Sequence, residues 1–161
     1  MRVIAFYSFF DLQDLEEIKN KINKFFKDIE IKGTVLIGPE GLNGTIAVPK
    51  TDELKTLNFL EELGVQKNYI KTSDFDGKRV FNRFKIKIKK EIVTSDFGLT
   101  INDIKKGQFI EPHNWEEFIN QDNVVIIDTR NDYEFKIGHF KDAINPDIKT
   151  FKEFKNYLKR N

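Results

Sequence analysis

The order in which hydrophobic periodicity changes along the first half of this chain leaves few folds open to it. Residues 2–9 (Arg-Val-Ile-Ala-Phe-Tyr-Ser-Phe) form an unbroken β-prone run. Asp11 then opens a helical pattern, with Leu12, Leu15, Ile18, Ile22, Phe25 and Phe26 at three- and four-residue spacings. A second strand is expected over 29–37, turn chemistry over Gly38-Pro39-Glu40-Gly41-Leu42-Asn43-Gly44, and a third strand over 45–48. Thr51 or Asp52 can cap a helix carrying Leu54, Leu57, Phe59, Leu60 and Leu63, stopped by Gly64. Arg83 to Val93 alternate strictly enough to be a fourth strand.

The order βαββαβ predicts an α+β, ferredoxin-like domain over 1–95, with both helices on one face of a four-stranded antiparallel sheet. Residues 96–107 are polar and irregular, as a linker is. A second α/β unit over 108–161 begins with a short helix at 112–119. It continues into Val124-Val125-Ile126-Ile127, a β-branched run ending in Asp128 that has the mark of a strand buried on both faces of a parallel sheet. A chain of 161 residues has room for one complete domain and about half of a second one of typical size, roughly 100 residues. The second unit is therefore expected to be incomplete, with self-association through its unfinished sheet as one outcome.

Charge and cysteine content remove several function classes. Lys and Arg total 27 against 26 Asp and Glu, a net charge of +1, so any basic surface must be local. With no cysteine, these residues supply no disulfide, thiolate zinc site or cysteine nucleophile. His113 and His139 are the only histidines and sit in no metal-like spacing, so no metal or other cofactor is identifiable. No apolar run approaches the ~18 residues of a membrane span, and a cytoplasmic location is expected.

One stretch does concentrate charge. Between Lys67 and Lys90 nine Lys or Arg residues stand against Asp74 and Asp76. In Arg83-Phe84-Lys85-Ile86-Lys87-Ile88-Lys89-Lys90, strand alternation puts Phe84, Ile86 and Ile88 on one face and Arg83, Lys85, Lys87 and Lys89 on the other. Together with Arg79 and Lys90 this resembles a phosphate-backbone footprint. A solvated face whose lysines discourage edge pairing is the other reading. Phe75, Phe81 and Phe84 are stacking platforms or core. The glycines of 38–44 cradle an anion or simply permit a tight turn.

The segment from Val124 to Pro146 resembles the opening of a rhodanese-like domain. Asp128, Arg130, Glu134, Gly138, His139, Ala143 and Asn145 fall on that pattern. Asp128 and Arg130 are either part of a site at a strand end or a structural ion pair that positions the loop. Adding Glu40-Gly41-Leu42-Asn43-Gly44-Thr45-Ile46-Ala47, the basic strand and Asn114-Trp115, nearly the whole chain resembles the rhodanese-related tRNA uridine hydroxylases.

That resemblance implies oxygen-dependent hydroxylation of the tRNA wobble uridine at carbon 5, with molecular oxygen as co-substrate and tRNA as partner. On that reading the basic residues Arg79, Arg83, Lys85, Lys87, Lys89 and Lys90 are expected to contact tRNA, and Asp128 and Arg130 to support the reactive loop. In the family that loop carries a reactive Cys, downstream of the segment matched here. The chain ends at Asn161 before reaching it. The expectation is an N-terminal part that supplies tRNA binding and scaffold and is inactive alone. A sulfurtransferase fragment and a non-catalytic binding or regulatory module remain as alternatives. Acylphosphatase activity is rejected although the strand order is shared, because Ser8-Phe9-Phe10-Asp11-Leu12 after the first strand offers no Arg for phosphate.

Overall fold

The computed structural model describes residues 1–76, 81–93, 95, 97–98, 103 and 107–160. Two units divide the chain, Met1–Ile92 and Val93–Asn161. The first runs β1 (Arg2–Phe9), α1 (Leu15–Phe25), β2 (Lys32–Gly38), β3 (Gly41–Val48), a 3-10 turn (Lys50–Asp52), α2 (Glu53–Glu62), β4 (Ile70–Asp74) and β5 (Phe84–Ile88). Asp14, not Asp11, starts α1: its carboxylate accepts the Glu17 N–H at 2.8 Å, satisfying one of the free donors at the helix start.

The sheet order is β4-β1-β3-β2-β5. Its first four strands have the ferredoxin-like arrangement, with β3 antiparallel between β1 and β2, and β4 antiparallel outside β1. This corrects the strand count and the assignment of the fourth strand. The basic segment is a fifth strand, shorter than 83–93, on the opposite edge, and it pairs parallel to β2 from Gly33↔Phe84 to Ile37↔Ile88. The sheet is therefore mixed. The true fourth strand, Ile-Lys-Thr-Ser-Asp, has a single apolar residue and is otherwise exposed, so it carries no hydrophobic alternation. It is held by backbone pairing to β1, and by Asp74, which pairs with Lys50 at 2.6 Å and Arg2 at 3.4 Å.

The glycine-rich stretch is mostly strand, not loop. β2 and β3 are paired through Gly38↔Gly41, leaving Pro39 and Glu40 as the turn. Gly41 has φ 141°, and a Cβ there would lie 2.1 Å from the Ser8 carbonyl oxygen, so only glycine fits. Gly38 and Gly41 to Gly44 are thus committed to the β-ladder.

One apolar cluster joins the helices to the sheet. Ile4, Phe6, Val35, Ile37, Leu42, Ile46 and Val48 meet Ile22 and Phe26 at the end of α1 and Leu60 of α2. Each large side chain buried this fully stabilises the fold by about 1.5–3 kcal/mol. Phenylalanine locks the layers together: Phe25 stacks on Phe59 at 3.9 Å, and Phe26 meets Phe59 and Phe84 edge-on at 5.9 and 5.7 Å. Phe84, Ile86 and Ile88 thus face the helices, as the alternation predicts.

The second unit contains a 3-10 turn (Pro112–Asn114) leading into α3 (Trp115–Ile119), then α4 (Asp132–Ile137) and α5 (Phe151–Leu158). Val124 to Ile127 is not the fully buried strand expected. It makes a single parallel bridge, Ile127↔Ile144, and Val125 is 68% exposed. That is its only bridge among the described residues, and Val124, Ile126 and Ile127 are half-buried. Ile137, Phe140 and Ile144 are exposed as well. Among the described residues no helix is long and apolar enough to cross a membrane.

Candidate functional site

Two groups of polar residues stand out, one in each unit. In the first, β5 and its flanks carry Arg83, Lys85, Lys87, Lys89 and Lys90; Arg79 lies outside the described residues. The Gly33 N–H donates to the Arg83 carbonyl at 3.1 Å and the Lys89 N–H to the Ile37 carbonyl at 2.8 Å, fixing both ends of the strand against β2. Lys85 stands opposite Thr34, and Lys87 opposite Leu36, on the face away from the helices. Lys85 is half-buried, and Arg83, Lys87, Lys89 and Lys90 are exposed. None of the five forms an ion pair among the described residues, whereas Arg2, Lys19, Lys21, Lys32, Lys50 and Lys55 all do. Uncompensated cations held in a row on a sheet edge are what an anionic backbone binds. A cleft of about 490 Å³ beside them is lined by Gly33, Thr34, Phe81, Asn82, Arg83 and Lys85.

The chain leaving β5 turns back onto the sheet. Ile92 is only 3% exposed, and its N–H donates to Glu40 Oε1 at 2.6 Å. A Cβ on Gly38 would sit 2.8 Å from the Ile92 Cγ2 methyl, so the missing side chain is what admits Ile92 there. This clasp ties the end of the basic strand to the β2–β3 turn.

Three residues on the same face escaped the sequence reading. Tyr7 and Phe9 share it by alternation along β1, their rings edge-to-face at 4.8 Å. Asn43 is the cross-strand partner of Tyr7. The signal available in the sequence is the alternation of the 2–9 run, which puts Tyr7 and Phe9 on one face. Only the strand order shows that they lie on the same surface as the lysines. Burial, reinforced by the Glu40 carboxylate, pushes the Tyr7 phenol up to about 12, so it stays neutral at physiological pH.

In the second unit Asp128 and Arg130 form a two-pronged pair. Arg130 Nε donates to Asp128 Oδ1 at 2.9 Å and Nη2 to Oδ2 at 2.6 Å, while Nη2 also donates to the Gly138 carbonyl at 2.6 Å. The Asp128 side chain is 9% exposed and that of Arg130 48%. The hydrogen bond from Arg130 holds the Asp128 carboxyl below its ordinary range, against the opposing effect of burial. Asp128 is therefore ionised and committed at neutral pH, which suits a positioning role better than proton transfer.

The neighbouring residues also brace the loop. Glu134 Oε2 accepts the Asn131 N–H at 3.2 Å. Asn145 Nδ2 donates to Asp132 Oδ1 at 3.0 Å, and the His139 ring stacks on Phe135 at 3.8 Å. A hollow of about 580 Å³ beside the pair is bordered by Trp115, Ile126, Arg130, His139 and Phe140.

A ferredoxin-like sheet whose basic edge strand forms no ion pair among the described residues, followed by a second, smaller unit, defines the class: an acylphosphatase-like domain joined to a further unit. Residues 1–92 match the family described as the UPF0176 acylphosphatase-like domain, and the chain belongs to that family. It is also similar to proteins named tRNA uridine(34) hydroxylase from Legionella pneumophila strains Corby, Lens and Paris. Each is 36% identical over 165 aligned positions, which take in 99% of this chain and 63% of the relative. The chain thus spans a little under two thirds of the length of these curated relatives.

Proposed function

We propose that this chain supplies the tRNA-binding and scaffolding part of an oxygen-dependent wobble-uridine 5-hydroxylase acting in the cytoplasm. The observation that carries the reading is the row of cations on β5 and its flanks, which stand free of ion pairs among the described residues. It occurs in a chain 36% identical along nearly all its length to proteins named for hydroxylating uridine 34 of tRNA. Arg83, Lys85, Lys87, Lys89 and Lys90, with Arg79, contact tRNA phosphates, and Asp128 with Arg130 holds the loop of the second unit. The chain has no cysteine, so thiolate chemistry at the reacting uridine is not supplied by these residues, and this chain alone does not turn over.

The reading is tested by gel-shift titration of the chain with tRNA, with an unrelated single-stranded RNA and with an acidic protein as control. The expected result is a preference for tRNA that disappears when Lys85, Lys87 and Lys89 are replaced by Glu. Unchanged tRNA affinity of that triple variant at low salt overturns the assignment of this face.

A further inference from the structure

The register of the first sheet sets the side chains of its open face in rows. One row runs Lys71, Ala5, Thr45, Thr34 and Lys85, and the next Tyr7, Asn43, Leu36 and Lys87. Neither row contains a carboxylate. Lys71, Lys85 and Lys87 have no ion pair among the described residues, and the Asn43 amide and the Thr34 and Thr45 hydroxyls make no hydrogen bond there. Cations therefore bound the face on both edges. Between them lie the small side chains of Ala5, Thr45, Thr34 and Asn43, the half-buried Leu36 and one large ring, that of Tyr7, 38% exposed and braced by Phe9.

The arrangement selects among occupants by chemistry. A protein partner needs a contiguous apolar patch, and beyond Tyr7 and the half-buried Leu36 these two rows offer only an alanine. A paired duplex satisfies lysines, but its bases are stacked on each other and closed to a ring on a flat sheet. An unpaired strand uses every element: phosphates for the lysines, a base face for the ring and a base edge for the amide. From Tyr7 to Lys87 is three strand spacings, about 14 Å, a distance that a short run of nucleotides covers.

We propose that this face holds an unpaired RNA segment, with one base stacked on Tyr7 and its edge against the Asn43 amide, and with the backbone phosphates directed to Lys85 and Lys87. The inference rests on the tRNA-binding reading and narrows it from backbone contact to base contact.

The test is a fluorescence-anisotropy titration of the full chain with an RNA hairpin bearing an unpaired loop and with a fully paired RNA duplex of equal charge. The parent protein binds the hairpin more tightly. Tyr7→Ala and Tyr7→Leu each weaken hairpin binding roughly ten- to a hundredfold with the salt dependence unchanged, and Tyr7→Phe, which keeps the ring, restores it. Far-ultraviolet circular dichroism confirms that each variant is folded, and Tyr7→Leu keeps apolar bulk on the strand in case Tyr7→Ala does not fold. Equal affinity for hairpin and duplex, or parent-like hairpin binding by a folded Tyr7→Leu, overturns the base-stacking proposal. If in that event Lys85→Ala and Lys87→Ala still weaken binding, the tRNA-binding reading survives; if they do not, it fails as well.

Discussion

Replacing Glu40 by Ala should loosen the end of the basic strand before it affects anything else. Glu40 Oε1 accepts the Ile92 N–H at 2.6 Å, a charge-assisted bond, and Ile92 lies 97% buried over Gly38. Losing a hydrogen bond to a charged acceptor costs about 1.5–3 kcal/mol. If Ile92 also swings into water, its side chain adds a further 1.5–3 kcal/mol or so, for a ceiling of about 6 kcal/mol. Glu40→Gln keeps an acceptor at the same place without the charge and should lose roughly half of the hydrogen-bond contribution. The assay is urea unfolding of the three proteins, combined with hydrogen exchange at the Ile92 amide. The expected order of stability is parent, Glu40→Gln, Glu40→Ala, with exchange at Ile92 accelerated in that sequence while Ile46 in central strand β3 stays protected. If Glu40→Ala unfolds within about 0.5 kcal/mol of the parent, or the Ile92 amide exchanges at the parent rate, the clasp does not hold the strand.

Two further substitutions probe the frame. Gly41→Ala places a Cβ at φ 141°, 2.1 Å from the Ser8 oxygen, and should destabilise the first unit by about 2 kcal/mol or more in thermal unfolding. Arg130→Ala removes the partner that depresses the Asp128 carboxyl. A folded value below the unfolded one, about 3.9, stabilises the protein above that pH, and the contribution is lost as pH falls through the folded value. The variant should therefore melt below the parent at neutral pH, and the gap should close on acidification. A gap independent of pH means that the pair does not act through its charge.

The alternation of Phe84, Ile86 and Ile88 with lysine was enough to read both the strand and its two faces, because a half-buried strand writes its orientation into a period of two. Its place in the sheet was not legible. β4 is held by its backbone and the Asp74 ion pairs, and its Lys-Thr-Ser-Asp composition imitates a loop, so the next recognisable strand took its position in the count. That displacement hid which residues share the open face of the sheet. Tyr7, Asn43 and Lys87 are far apart in sequence and fall in one cross-strand row only because β3 and β2 lie between β1 and β5. In the second unit, four β-branched residues read as a buried strand, but the run makes one bridge among the described residues and Val125 is exposed. Helix α5 does leave a signal in the sequence, with Phe151, Phe154 and Leu158 at helical spacing, and Phe151 and Phe154 pack with Phe97.

The salt dependence of tRNA affinity reports directly on whether the β5 lysines meet phosphates. Each phosphate contact contributes about 0.7–0.9 to the slope of log affinity against log salt. In Lys85→Ala/Lys87→Ala/Lys89→Ala the slope should be shallower by about two to three, and binding should converge with the parent's near 1 M salt. Parallel lines, with the parent's slope retained after three cations are removed, would contradict that contact.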